Sequence, residues 1–208
     1  MPACTLKIKQ LARRSEMNMP NRKKEIKGKL FELKKLNVLE ILDSQRLRYK
    51  VYVEEKGWEP PNEHKLEKDV YDDFSYHFGV YVDKELVGSA RLIDGRRVML
   101  PIFSRLSERE KNSVEISRVV VIRGVPRMLI SEWIYSYLLY FFLLNRYQAA
   151  FAFMQEKHFK IMKFNWRKEL NFKQVGDATN EYKTGYCYVP CEIRLNQEVL
   201  EDLFAADY

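Results

Sequence analysis

Apolar residues recur along this chain in two rhythms, and each switch between them marks an element. Leu30–Leu36 alternates and predicts a first strand. From Val38 the spacing lengthens: Val38, Leu39, Ile41, Leu42, Leu47 and Val51 recur at helical intervals, with Asn37 placed to cap the helix and Gly57 to end it. Arg48 and Tyr52, four apart, then share a helix face, and Trp58 follows the stop. Pro60 and Pro61 open a polar loop that runs to Lys68. His77–Val82 and Leu86–Leu92 predict two strands of a hairpin around Asp83–Glu85, and the short segment Val98–Phe103 precedes a polar turn at 107–112. Val114–Ile122 carries the β-branched run Val119–Val121 and predicts a buried strand. Gly124 and Pro126 punctuate the turn into a long apolar helix, Leu129–Asn145. Ala149–Met154 predicts a strand and Phe159–Trp166 a short helix. Asn171–Val175 and Lys183–Leu195 close the pattern as strands, the second broken at Pro190, with a helical turn at Val199–Phe204. Antiparallel strands come first and a strand–helix–strand unit follows, which predicts an α/β fold with a mixed sheet.

Composition narrows this. With 208 residues, 46% hydrophobic and 31% charged, the chain can build one domain with a proper core. The formal charge of +7 favours an acidic partner. Much of the excess sits before Leu30: Arg13, Arg14, Arg22, Lys23, Lys24, Lys27 and Lys29. Residues 1–29 are therefore expected to be a flexible basic arm, and 30–208 a single domain. The arm suits an acidic partner or an anionic membrane surface, or serves as a solubilising extension. Cys4, Cys187 and Cys191 form no paired framework and lack the spacing of a zinc site, which points to a reducing, cytoplasmic setting with no metal. No apolar run follows the basic start as in a signal peptide, and Ile130–Leu144 is too short and polar for a membrane span.

The strand Val114–Ile122 opens with Glu115 and Arg118, which admit two readings: a surface ion pair at a strand end, or charges delivered to a site. Arg48, Asp69, Asp72 and Arg91 also fall at element ends. Arginine pairs carboxylates through a planar fork, so this set can lock a loop over a polar substrate and tune one carboxylate as a base, or can remain scattered surface pairs. His77 begins a strand, where a structural role outweighs that of a base. P-loop, G-x-G-x-x-G, H-E-x-x-H and G-x-S-x-G patterns are all missing from the sequence, and no helix-turn-helix signature suggests nucleic acid.

Taken in order, Arg48-x-x-x-Tyr52-x-x-x-x-x-Trp58, Asp69-x-x-Asp72, Gly88-Ser89-x-Arg91-Leu92, Met99-Leu100 and Glu115-x-Ser117-Arg118 resemble the acyl-homoserine lactone (autoinducer) synthases of bacterial quorum sensing. The series equally resembles their relatives, the long-chain N-acyl amino acid synthases and exosortase-associated acyltransferases, all offshoots of the GNAT fold. Three departures separate these relatives. Tyr52 stands where autoinducer synthases often carry Phe, and Asp69-x-x-Asp72 followed by Asp73-Phe74-Ser75-Tyr76-His77 gives D-x-x-D-x-x-S-x-H, closer to the amino acid synthases. Arg91-Leu92-Ile93-Asp94-Gly95 replaces the R-L-L-P-T of the lactone makers. The turn Arg123-Gly124-Val125-Pro126-Arg127 lacks the R-x-x-G-x-G/A loop of ordinary acetyl-CoA enzymes.

The resemblance implies a mixed, mostly antiparallel, twisted sheet splayed at its centre and flanked by helices. It implies an N-acyltransferase that moves a fatty acyl group from an acyl carrier protein or CoA thioester to an amino acid or its derivative, with no tightly bound cofactor. The alternatives are lactone synthesis from S-adenosylmethionine, a short-chain acetyl-CoA enzyme, or a non-catalytic binding module. Glu115 is then the base, and Arg48, Asp69, Asp72, Arg91 and Arg118 order the lid and hold the acceptor's carboxylate. Val119, Val121, Arg123, Gly124 and Arg127 receive the pantetheine arm and its phosphate. Tyr52 and Trp58 cover the site, and Met128, Trp133, Phe151 and Phe153 line the acyl tail or are plain core.

Overall fold

The computed structural model describes residues 21–104, 106, 110–165, 170–179 and 185–195. Its strands are β1 Arg22–Ile26, β2 Lys29–Lys35, β3 Ser75–Val82, β4 Glu85–Asp94, β5 Ser113–Val121, β6 Ala149–Gln155, β7 Leu170–Gln174 and β8 Tyr188–Leu195; its helices are α1 Val38–Tyr49, α2 Arg127–Leu144 and α3 Glu156–Asn165. The strands form one eight-stranded sheet in the order β1-β2-β3-β4-β5-β6-β8-β7. All neighbours are antiparallel except β5 and β6, the pair joined through α2. That single parallel pair follows from chain economy, since a parallel neighbour requires a crossover and the apolar helix supplies one.

Alternation along the central strands assigns the two faces. Leu92 of β4 and Val114 and Ile116 of β5 join Phe78, Ile130, Ile134, Leu138 and Phe142 in the large core beneath α2. Phe159 and Met162 extend this core beneath α3. The intervening residues, Arg91 and Ile93 of β4 and Glu115 and Ser117 of β5, point to the opposite face. There Leu47 of α1 and Val51, just beyond its end, pack on Val120. A second core, Ile93, Leu100, Ile102, Phe103, Ala149 and Phe151, covers the rest of that face. The segment expected at Val98–Phe103 contributes to it through one 3₁₀ turn, Pro101–Ser104.

Two irregularities shape the centre. β5 pairs with β6 only over Ser113–Ile116 against Ala149–Ala152. Beyond that point Phe153–Gln155 pair with β8 while Val120 and Val121 pair with β4, so β5 and β6 part. The splay implied by the resemblance is therefore present. Ser89 and Arg91 of β4 face Val120 and Ser117 of β5, which leaves one extra residue in β5. Arg118, in this bulge, is left-handed at φ 52°, a conformation worth about 1–3 kcal/mol of strain in a non-glycine residue.

Several expectations need correction. Arg22–Ile26 pairs in register with β2, so the proposed arm to residue 29 ends in a hairpin; residues 1–20 lie outside the described residues. The helix to Gly57 is an α-helix followed by a π-helical turn, Lys50–Glu55, which widens the coil so that Tyr52 no longer follows Arg48 at α spacing. β8 is not broken at Pro190: β7 ends at Gln174 opposite Cys191, and the Pro190 carbonyl accepts from Val175 N at 3.0 Å. The missing proline N–H thus falls where no β7 ladder bond is due. The expected turn at Val199–Phe204 lies outside the described residues. Among the described residues, no helix is long and apolar enough to cross a membrane.

The cap of α1 behaves as the sequence predicts. Asn37 Oδ1 accepts from Leu39 N and Glu40 N, both at 3.0 Å, and Glu40 Oε2 accepts from Asn37 N at 2.9 Å. Asn37→Ala removes the two bonds accepted by Oδ1, leaves the Glu40 bond to the backbone N–H of residue 37, and is expected to lower stability by about 1 kcal/mol, read as a lower urea midpoint with an unchanged slope.

Candidate active site

β3, β4 and β5 lay His77, Arg91 and Ser117 side by side in one row across the sheet face under α1, and Ile93, Glu115 and Phe151 in the next. The loop from Gly57 to Tyr71 returns over this face and brings carboxylates to it. Arg48, buried on α1, donates Nη1 and Nη2 to the Asp72 carboxylate at 2.7 and 3.0 Å, and Nε and Nη2 to the Glu67 side chain and carbonyl, each at 2.5 Å. Arg91 forks onto Asp69 at 2.5 and 2.9 Å, reaches Asp72 at 3.0 Å, and donates Nε to Ser117 Oγ at 3.1 Å. Arg118 donates to Glu67 at 2.8 Å and to Asp69 at 3.1 Å. The bulge turns Arg118 back toward the loop, which is why a residue of β5 reaches carboxylates 49 and 51 positions earlier in the chain.

Three guanidinium groups and three carboxylates therefore interlock, and no charge is left over. Burial pushes the Asp72 carboxyl up, but its bonds to Arg48 and the charges of Arg48 and Arg91 outweigh this and hold it down at about 2. Asp69 is lowered by the same balance: burial opposes, and Arg91 then Arg118 prevail. Arg48 and Arg118 are raised despite burial, because their carboxylate partners favour the charged form. His77 is buried, with Nε2 3.3 Å from the Asp72 carbonyl oxygen, and burial lowers its pKa. Packed in this way, it backs the Asp72 end of the loop.

Glu115 stands apart from the interlocked set. Its Oε2 accepts from Ile102 N at 2.9 Å, and Arg118 spends its bonds on Glu67 and Asp69 instead. Burial raises the Glu115 carboxyl to about 7, with the Ile102 N–H, Arg91 and Arg118 offsetting only part of the desolvation. It lies one residue before the last β5–β6 pair, at the mouth of the splay. A carboxylate that titrates near neutrality beside an opening in the sheet is equipped to take a proton from a bound amine.

The remaining expected residues divide. Tyr52 stacks on Trp58 with ring centroids 5.7 Å apart, and the Arg118 guanidinium lies 5.9 Å from the Tyr52 ring. Burial raises the Tyr52 phenol to about 12. The Tyr52 carbonyl also accepts from Trp58 N at 2.7 Å, so the pair forms a wall of the same loop. Val119 and Val121 follow the bulge on the stretch of β5 that has left β6. Arg123 is exposed and pairs with Glu55 at 3.4 Å, while Gly124 takes φ 88° in the turn and Arg127 Nε donates to the Ile122 carbonyl at 3.2 Å. Phe151 and Phe153 lie on the site face. Met128 and Trp133 do not join them: both stand on α2, where Trp133 packs on the large core across the sheet and Met128 is partly exposed.

Sequence reasoning missed Glu67, the carboxylate that ties Arg48 to Arg118. Its one signal was a carboxylate two residues before Asp69. The role of Ile102 N–H had no side-chain signal at all. Among the described residues, no group of His, Cys, Asp and Glu is arranged to hold a metal ion. Cys187 and Cys191 are free thiols, the second buried.

Comparison with known proteins gives this geometry a family. The chain resembles several solved structures: a CoA-dependent acyl-homoserine lactone synthase, BjaI, with SAM and isopentyl-CoA (TM-score 0.63, 18% identity, 81% of this chain and 82% of that one); the acyl-homoserine lactone synthase LasI (0.63, 19%, 86% and 96%); and FeeM, an N-acyl amino acid synthase from uncultured soil microbes (0.55, 15%, 85% and 92%). At these identities the likeness establishes a GNAT-like acyltransferase fold. No curated protein sequence matches the chain. The family model of the N-acyl amino acid synthase FeeM matches residues 43–192, a span that holds every member of the interlocked charge set and Glu115. The chain belongs to the FeeM family of N-acyl amino acid synthases and is an N-acyltransferase.

Proposed function

We propose that the chain transfers a long acyl group from a carrier-protein or CoA thioester to the amino group of a free amino acid, with Glu115 as general base. The observation that carries this is the burial of Glu115, raised to about 7, where β5 and β6 part. The acceptor's ammonium loses one proton to Glu115, the neutral nitrogen attacks the thioester carbonyl, and the carbon–sulfur bond breaks as the acyl–nitrogen bond forms, the nitrogen's second proton going to the departing thiolate to give the free thiol. Backbone N–H groups on the freed edge of β5, around Val119 and Val121, suit the carbonyl oxygen and the pantetheine amides.

Arg118, with its side chain 31% exposed, is the arginine best placed to meet the acceptor's carboxylate, and Arg48, Arg91, Asp69 and Asp72 hold the wall. Tyr52 and Trp58 close it, and Phe151 and Phe153 suit the start of the acyl tail. Arg123, Gly124 and Arg127 at the start of α2 suit a phosphate. The charge of +7 favours an acidic acyl carrier protein as donor. BjaI, a structural neighbour, was solved with isopentyl-CoA, which supports a thioester in this fold. The family match favours an amino acid over S-adenosylmethionine as acceptor.

The test is mass spectrometry of reactions containing an acyl carrier protein thioester or acyl-CoA and free amino acids. Acyl amino acids are expected, and a lactone made only with S-adenosylmethionine overturns the reading. Glu115→Gln should lower kcat about 100-fold or more. For the wild type, kcat/KM should rise with pH and level off above about 7, the pKa of Glu115.

Stability should move the other way. Glu115 binds its proton more tightly folded than unfolded, so its contribution is full below the ordinary carboxylate range and is lost as pH rises through about 7. Glu115→Gln removes that loss and should stabilise the protein at pH 8, by about 3 kcal/mol at most, with little change at pH 4. Asp72 has the opposite sign: its contribution is present above about 4 and is lost as pH falls through about 2. Asp72→Asn leaves Arg48 and Arg91 short of charge in a buried place and should destabilise by about 3–5 kcal/mol at pH 7, measured by denaturant unfolding.

A further inference from the structure

On the outer side of the wall that carries Glu67, a cavity of about 400 Å³ opens between α1 and the loop. Arg46, Lys50 and Glu54 line it from the helical side, Glu63 and Lys65 from the loop, and buried Tyr49 lies at its base. His64 completes the lip.

The charges here are arranged unlike those of the active site. Arg46 bonds Asp43 at 2.8 Å, yet among the described residues Lys50, Lys65, Glu54 and Glu63 have no salt-bridge partner. Side chains of opposite sign thus face one space without pairing across it. A simple anion would meet two carboxylates there, and a simple cation three basic side chains. A ligand bearing both charges satisfies both sets.

The loop side is built rather than loose. Asn62 Nδ2 donates to the Leu66 carbonyl at 3.0 Å, its Oδ1 accepts from Leu66 N at 3.3 Å, and Lys65 is left-handed at φ 49°. Two residues beyond Lys65, Glu67 N donates to the Gln45 carbonyl at 3.1 Å, and the Glu67 carboxylate holds Arg48 and Arg118.

We propose that this cavity binds a small zwitterion, a free α-amino acid, with its carboxylate on the Arg46, Lys50 and Lys65 side, its ammonium on Glu54 and Glu63, and its side chain toward Tyr49. Bound there, it clamps the loop to α1 and so tightens Glu67 on Arg118 from outside the catalytic chamber. It is an effector site, separate from the acceptor site, and does not rest on the acyl-transfer reading.

The test uses the full-length chain with Glu115→Gln, which blocks turnover, and calorimetric titration with each common free amino acid. Inorganic phosphate and a simple alkylamine serve as single-charge probes. At least one amino acid should bind, and the added pair Lys50→Ala and Glu63→Gln should weaken a site at least tenfold or reduce the stoichiometry by one per chain. Unfolding midpoints of the variants verify that they fold. Unchanged amino acid binding in the cavity variant overturns the proposal, as does no binding by any amino acid, or phosphate or alkylamine binding as tightly. Wild-type turnover is read separately, so loss of the effector site and failure of acyl transfer are told apart.

Discussion

Buried guanidinium groups require buried carboxylates, and the active-site face is built around that balance. Arg48 and Arg91 lie almost wholly out of water, and Arg118 only partly in it. Each would be prohibitive to bury unpaired. Glu67, Asp69 and Asp72 neutralise them, and all three come from the end of one loop and the 3₁₀ turn that follows it. The ion pairs thus do for this loop what apolar burial does for α2: they decide where it goes. They also cross-link it, since Asp69, Asp72 and Glu67 each bridge two arginines.

The same closure explains why Glu115 is different. Because the three arginines are already matched, none is left to hold Glu115 ionised at close range. Desolvation then dominates, and the Glu115 carboxyl is raised to about 7. A carboxyl raised in this way needs no special residue of its own. It needs neighbours whose charges are spent on each other.

Much of this was legible from residues. The 3.6 and 2 periodicities located the strands and helices, and Asn37 and Glu40 announced the start of α1. The ordered series from Arg48 to Arg118 carried the family resemblance. Other features were hidden for physical reasons. Strands Lys23 to Glu25 look like a charged arm because an edge strand needs few apolar residues. The π turn after Tyr49 leaves no compositional mark. Pro190 reads as a break unless one knows that β7 stops beside it. Glu67 is one acid among many in a polar loop, and its role depends on Arg118 reaching back from β5. Met128 and Trp133 share the apolar character of Phe151 and Phe153, but they stand on α2 over the large core, whereas strand parity turns Phe151 and Phe153 to the opposite face of the sheet.

The bulge at Arg118 also sets the phase of the chain. Before it, odd-numbered residues of β5 face the arginine–carboxylate set and even-numbered ones the large core; after it, Val120 faces α1 and Val121 the large core. One strand is therefore read in two frames. Deleting a single residue there would leave the upstream half in place and exchange the surroundings of Val120 and Val121, so the Glu115 end of β5 and the end that has parted from β6 are coupled in length. Insertions and deletions in relatives of this chain can be sorted by whether they preserve that offset.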